Sequence, residues 1–513
     1  MSPSPVPTRG RTLPLRFLIG AALLLWFALA ALATPFDHDE SQYAAGAWLA
    51  GRMTIFRDFL YLQPPLHAWA YAPLTVLFPD HAMLAMRLVT AGTALATLLV
   101  LWKAQSVAGI SRVSATIATL LIATTASFQF TAGVVRNDML PTLLSSVAVL
   151  IALRELDGGR RVGWFVTGLL MGLAIATKLS FAPLGLTVGL FLLARGKRSD
   201  LNAALWLAVG AVAGMVPMLI AWAAAPDAFL YGVFTYGMTA PHAWYAINGA
   251  GGELTLAGKA GAFLNALVKG PALVALLTIA VGGFATRKRS QPASRRLAIW
   301  LTAGALVGAA LPTPFQLQYL MPVLPPLALS LGYLLDDARR WTPARRHLLH
   351  AILGISVIPG MIEPLSNMAA LVSRGSPVLR AEANARWAGD LVRQEVGQGS
   401  IATLSPHLML ASGLAIDPRF AAGPFAYRTG WTVPASFARR LHMMTPQILA
   451  DMDRAPPAAI LTGYEAGTRN LPLAPDDGLI AYAQKRHYRP MPMPDGGGML
   501  YQRPANVRRL QPH

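Results

Sequence analysis

Runs of apolar residues broken by short polar stretches dominate the first two-thirds of the chain. Eleven of them approach the length needed to cross about 30 Å of hydrocarbon at 1.5 Å per residue of helix. They lie near 14–33, 84–103, 113–131, 139–154, 162–178, 181–195, 202–223, 263–284, 297–311, 319–335 and 348–362. The pattern predicts a multi-span α-helical membrane protein. Arg9, Arg11 and Arg16 precede the first run as in a signal peptide. No small-residue cleavage site ends that run, so it is taken as a first span. From about residue 364 the runs shorten. Ala383, Trp387, Leu391 and Val392 give Arg380–Val396 helical spacing, and Ser400–Leu404, Ala458–Leu461 and Met499–Gln502 look like short strands between turn residues. The expected organisation is a transmembrane domain over 1–363 and a small α/β domain outside the membrane over 364–513. No internal repeat is visible.

Composition agrees with this partition. Charged residues make up 13% of the chain and hydrophobic residues 54%, which excludes an ordinary soluble enzyme or a disordered chain. The net charge of +19 would suit nucleic acid if it were clustered, but it alternates loop by loop. With the N-terminus inside, twenty Lys and Arg fall in the cytoplasmic segments and seven on the opposite side. Basic residues are retained in cytoplasmic loops during insertion, so the expected orientation is N-terminus in the cytoplasm and C-terminal domain outside. The charge then marks topology and not a nucleic-acid partner. With no cysteine, disulfides, thiolate metal sites and thiol nucleophiles are excluded.

Two outward loops, about 34–83 and 224–262, are long enough to suggest function. The first holds Asp37-His38-Asp39-Glu40 just beyond the hydrocarbon edge. Packed carboxylates repel unless something neutralises or uses them, although Asp39 or Glu40 could simply favour a helix N-terminus. Asp138, in Arg136-Asn137-Asp138, is the only carboxylate between Asp80 and Glu155 and falls at the outer mouth of the fourth span. It is either a functional ionisable group or a span cap paired with Arg136. Tyr61-Leu62-Gln63-Pro64-Pro65-Leu66-His67-Ala68-Trp69 sets a rigid entry to an interfacial aromatic stretch, with His67 read as an interfacial side chain. Lys178 ends a long apolar run, where it either snorkels or meets a lipid phosphate.

In order and topology these residues resemble the GT-C glycosyltransferases of the protein mannosyltransferase and aminoarabinose transferase type. The resemblance runs over about 15–335. It rests on Asp39-Glu40, Tyr43, Tyr61-x-x-Pro64-Pro65-Leu66 with Trp69, Arg87, Arg136-x-Asp138, Thr177-Lys178, and Gln318-Tyr319 leading to Pro322 and Pro325-Pro326. It implies inverting transfer of a sugar from a polyprenyl-monophosphate carrier to an acceptor on the outer face of the inner membrane. By position, Asp39 matches the first-loop acidic residue, a general base or acceptor-orienting group, with Glu40 beside it. Asp138 matches the second acidic residue, and Tyr61 the aromatic of the Tyr-x-x-Pro-Pro segment. Gln63 stands where the aminoarabinose transferase branch carries a lysine for the carrier phosphate, which leaves Lys178, Arg57 or Arg136 to supply positive charge. Tyr61, Gln63, His67 and Tyr319 are the expected substrate-lining residues.

The chemistry suits such a site. A carboxylate near the acceptor hydroxyl removes its proton as the new bond forms, and a phosphate leaves without needing an acid, unlike the alcohol of glycoside hydrolysis. No cofactor is required on this expectation, although Asp37-x-Asp39 could hold a divalent cation. The expected partners are the lipid-linked donor, an envelope acceptor (lipid, glycan or protein) and membrane lipid. Other readings remain: a lipid or sugar flippase, a polymerase or ligase using a diphosphate carrier, and a non-catalytic scaffold.

Overall fold

The structure, a computed structural model, describes residues 12–286, 291–465 and 474–504. Arg9, Arg11 and Arg287 to Arg289, which contribute to the orientation above, lie outside the described residues. All eleven apolar runs fall on helices. α1 (Thr12–Ala33) leads into the first long loop, which carries α2 (Glu40–Ala50) and α3 (Leu66–Leu77). Then follow α4 (Ala82–Val107), α5 (Arg112–Ala123), α6 (Ala126–Gly133), α7 (Met139–Glu155), α8 (Arg161–Thr177), α9 (Ala182–Arg195), α10 (Arg198–Gly214) and α11 (Val216–Ala224). The second long loop holds α12 (Pro226–Leu230) and α13 (Tyr236–Ile247), and is followed by α14 (Leu256–Val268), α15 (Ala272–Thr286) and α16 (Ala293–Ala310). A 3-10 turn (Leu317–Val323) opens α17 (Leu324–Ala338), and α18 (Pro343–Ser356) and α19 (Ile358–Arg374) close the bundle.

Among the described residues, four helical stretches can each cross a membrane by length and composition: Pro79–Val107, Arg198–Ala224, Leu317–Ala338 and Pro343–Arg374. Two bent pairs, α5 with α6 (67°) and α14 with α15 (93°), add two more if each is one span. The runs expected at 113–131 and 263–284 are therefore broken, and the two breaks meet. The hydroxyls of Thr124 and Thr125 bond back to the carbonyls of Leu121 and Ile122 (both 2.8 Å), and Gly270 turns at φ +125° before Pro271. The Ala126 N–H donates to the Lys269 carbonyl at 2.9 Å, so each break satisfies part of the other's freed backbone. Leu99, Leu186, Leu190 and Val212 stay exposed on the bundle, as hydrocarbon contact requires.

The domain boundary expected at 363/364 falls inside α19, which continues to Arg374 before the chain reverses at Gly375 (φ +74°). Beyond it, α20 (Pro377–Glu395) covers the predicted helix. A five-stranded sheet follows in the order β2-β1-β3-β5-β4. The three predicted strands are β1 (Ser400–Thr403), β3 (Ala459–Thr462) and β5 (Met499–Gln502); β2 (Ala415–Ile416) and β4 (Arg489–Pro492) were too short and too proline-rich to stand out. β1 pairs parallel with β2 and β3, whereas β5 pairs antiparallel with β3 and β4.

The buried apolar residues form two cores. One fills the bundle. The other is shared: Tyr43, Trp48, Phe56, Tyr61 and Tyr71 of the first loop join Tyr231 and Tyr236 of the second and the interior of the sheet domain. The sheet domain therefore folds against the two loops that carry the candidate chemistry.

Candidate active site

Past α1 the chain turns through Asp37–Asp39 into α2. The Asp37 N–H donates to Glu40 Oε2 (2.9 Å) and the Asp39 N–H to Asp37 Oδ2 (3.2 Å), so side chains of the acidic run satisfy its own amides. Asp39 occupies the N-cap position of α2, yet its side chain makes no capping bond. It is turned toward Arg136.

Arg136, between α6 and α7, is the hub. Its Nη1 pairs with Asp37, its Nη2 with Asp39 Oδ2 at 2.6 Å, and its Nε with Asp138 Oδ2 at 3.2 Å. Asp138 accepts on its other oxygen from Lys178 Nζ at 2.5 Å. Residues some hundred positions apart in sequence thus share one guanidinium. The side chain of Asp138 is fully buried, that of Asp37 is 19% exposed and that of Asp39 26% exposed. With both oxygens held by cations, Asp138 positions Arg136 and Lys178. Asp39 Oδ1 has no partner among the described residues.

Lys178 owes its place to close helix packing. Gly168 and Gly172 of α8 face Gly210 and Gly214 of α10, and a Cβ on any of the four would lie 1.9–2.2 Å from a backbone oxygen of the other helix. Two glycines spaced by four on each helix let the backbones touch, which fixes the end of α8 that Lys178 follows. The ammonium lies 5.3 Å from the Tyr319 ring centroid and is buried, so it does not snorkel.

Glu40, expected beside the chemistry, is committed elsewhere. Its carboxylate takes Arg87 Nε (2.9 Å) and Nη2 (2.5 Å) as a bidentate pair and also accepts from the Val135 N–H at 2.8 Å. Arg87 further donates to the carbonyls of Ala31 (3.2 Å), Thr34 (2.7 Å) and Pro35 (3.3 Å). Both side chains are fully buried. Glu40 thus ties the end of α1, α4 and the approach to Arg136 together, and no oxygen is left for a substrate. Glu40→Ala should lower stability by about 3–5 kcal/mol, because it strands a buried guanidinium. Thermal unfolding of the purified protein checks this, and an unshifted melting temperature would return Glu40 to the chemistry.

Arg57 does not join the cluster. It is exposed and pairs with its neighbour Asp58 at 2.9 Å. Arg136 is also corrected in role: three carboxylates occupy its guanidinium. Gln63 accepts from Asn137 Nδ2 at 3.0 Å, and Asn137 also donates to the Thr177 carbonyl at 3.2 Å, a bridge from the Pro-Pro segment to Lys178. Tyr61 is buried with its hydroxyl unpaired, its ring wedged where a Cβ on Gly46 would come within 2.5 Å. His67 stacks on Tyr71 at 4.4 Å and meets Tyr43 edge-on at 5.4 Å. Burial pushes its pKa down to about 3, so it is a neutral interior ring.

Burial raises the Asp37 carboxyl above its usual value despite Arg136. For Asp39 burial acts in the same direction, but Arg136 and His38 outweigh it and hold the carboxyl below the usual range. Among the described residues no group of three His, Asp or Glu is arranged to hold a metal. Asp37 and Asp39 instead converge on the Arg136 guanidinium.

The sheet domain reaches this turn directly. His38 Nε2 lies 2.9 Å from Glu465 Oε2, and Ser405 Oγ donates to Glu465 Oε1 at 2.8 Å. His81 and the Leu84 N–H bond to Glu382 of α20 at 2.9 and 3.0 Å. The sequence offered no motif for Glu465, Ser405 or Glu382: Glu465 and Glu382 matter through partners hundreds of residues away, and Ser405 through Glu465.

A helical bundle, a first-loop acidic turn converging on Arg136 and Lys178, and an appended sheet domain make a fold that resembles that of the GT-C glycosyltransferases. The comparisons agree. A family model described as dolichyl-phosphate-mannose-protein mannosyltransferase matches residues 62–222, which include Gln63, Arg136, Asp138 and Lys178 and stop short of the acidic turn. The fold is similar to that of ArnT from Cupriavidus metallidurans bound to undecaprenyl phosphate, with TM-score 0.61 and 15% identity over 98% of this chain and 100% of that one. The apo state of the same protein gives TM-score 0.61 and 15% identity over 97% and 99%. The apo oligosaccharyltransferase of Archaeoglobus fulgidus is similar at TM-score 0.50 and 11% identity over 88% and 70%. No curated protein sequence matches the chain.

Proposed function

We propose that this chain is an inverting glycosyltransferase of the inner membrane that moves one sugar from a polyprenyl-monophosphate carrier to an envelope acceptor. All eleven apolar runs are proposed as spans, with the N-terminus cytoplasmic and the sheet domain on the outer side. The observation that carries this is the convergence of Asp39, Asp138 and Lys178 on one guanidinium network at the end of the bundle. ArnT, of the same fold, binds undecaprenyl phosphate. A flippase would be expected to carry ionisable groups along its spans, whereas here the buried ion pairs lie near helix ends.

In this mechanism Asp39 Oδ1 receives the acceptor's hydroxyl proton while its Oδ2 stays on Arg136. The acceptor oxygen bonds to the anomeric carbon, the carbon–oxygen bond to phosphate breaks, and the carrier phosphate departs with the electron pair. A carboxylate held this low is a weak base, so it orients the hydroxyl first and takes the proton late, as the new bond forms. Lys178 uses one N–H on Asp138 and keeps two for the phosphate, whose charge grows as it leaves. Arg136 fills the place between Asp37 and Asp39 that a divalent cation would take, so transfer is proposed to be metal-independent.

Lys178→Ala should raise the dissociation constant for farnesyl phosphate, a short carrier analogue, by about tenfold in the detergent-purified protein. Unchanged affinity would reduce Lys178 to a counter-ion of Asp138 and remove the phosphate cradle.

A further inference from the structure

Arg428 closes α21 (Pro424–Arg428) in the sheet domain. Its guanidinium carbon lies 4.5 Å from the ring centroid of Trp244 on α13 and 4.8 Å from that of Phe425. The side chain is half-buried, and its buried Nε has no hydrogen-bond partner. No carboxylate lies within ion-pair distance among the described residues. The other shielded arginines nearby are matched: Arg87 by Glu40, Arg136 by three aspartates and Arg419 by Asp417 at 2.5 Å. A partly desolvated cation clamped between two rings, with its donors unused, is preorganised for an anion.

Its position says which anion. Phe425 meets His38 edge-on at 4.8 Å, and His38 adjoins Asp39. Tyr236 and Tyr245 of the second loop lie within electrostatic reach of both Asp39 and Arg428. Lys178 is within electrostatic reach of Asp39, and Arg428 of the two tyrosines that Asp39 also reaches. Lys178 follows a bundle helix, where a carrier's phosphate sits beside its lipid tail. Arg428 belongs to the sheet domain and packs on Trp244 of the second loop, apart from the bundle helices that would flank a lipid tail.

We propose that Arg428 is an anion-binding subsite that takes a phosphate or carboxylate group carried by the acceptor. This rests on the transferase reading above, but its test does not need turnover. With the full-length detergent-purified protein, inorganic phosphate and farnesyl phosphate are titrated separately against wild type, Arg428→Gln, Arg428→Lys and Lys178→Ala. Arg428→Gln is expected to weaken inorganic phosphate binding about tenfold and leave farnesyl phosphate within about twofold. Arg428→Lys should keep most of the phosphate affinity, since the charge remains, which separates anion binding from mere bracing of Trp244. Lys178→Ala should do the reverse of Arg428→Gln. Unchanged phosphate affinity in Arg428→Gln would overturn the subsite, and equal loss of both probes would overturn its assignment to the acceptor. Loss of farnesyl phosphate binding tracks only with Lys178, so failure of the carrier reading is seen separately.

Discussion

Asp39→Asn is expected to lower sugar transfer by about 10²- to 10⁴-fold, the usual worth of a positioned base, while membrane insertion and abundance stay as in wild type. The amide keeps the shape of the carboxylate and can still accept from Arg136, so the fold loses little. What it loses is the place for the proton. The expected pH dependence has a definite sign. Because Arg136 and His38 hold Asp39 below the usual aspartate value of 3.8, its carboxylate stays ionised above that value, and the rate should fall only as pH drops below it. Radiolabelled transfer in membrane preparations measures both effects. Transfer by Asp39→Asn at the wild-type rate would remove Asp39 as the base.

Arg136→Ala should cost more than activity. Removing this guanidinium leaves Asp37, Asp39 and Asp138 facing one another with only Lys178 to balance them. Breaking a single buried pair costs about 3–5 kcal/mol, and three partners are lost here. The expected result is a protein of low abundance that gives no transfer and melts at markedly lower temperature. Partial recovery on adding Asp37→Asn would follow, because that carboxyl, raised by burial, is the one most readily kept neutral. A stable and active Arg136→Ala would show that the carboxylates are not organised by this side chain.

The apolar runs were legible because the bilayer demands a length that composition alone reveals. The bends were not, since each depends on the other: Thr124 and Thr125 matter because Lys269 and Gly270 lie against them. Asp39 and Asp138 could be singled out as isolated or clustered carboxylates. Sequence could not tell Asp39 from Glu40, because one step of helix turns a side chain by about 100° and only the fold shows that Glu40 meets Arg87. Arg136 was read as a phosphate ligand because its three carboxylates come from two separate segments. The paired glycines, Gly168 with Gly172 and Gly210 with Gly214, did carry a readable small-residue spacing for the contact that fixes Lys178. Glu465 and Arg428 carried none, being single polar residues in a domain whose packing against the loops is set by apolar side chains.

The most direct test is mass spectrometry of envelope lipids and glycans from cells expressing the wild-type chain, the Asp39→Asn variant or neither. A converged carboxylate site acting on a lipid-phosphate sugar predicts one envelope component heavier by a single sugar with the wild type, and absent in the other two. Identical profiles in all three, or the same heavier component with Asp39→Asn, would contradict it.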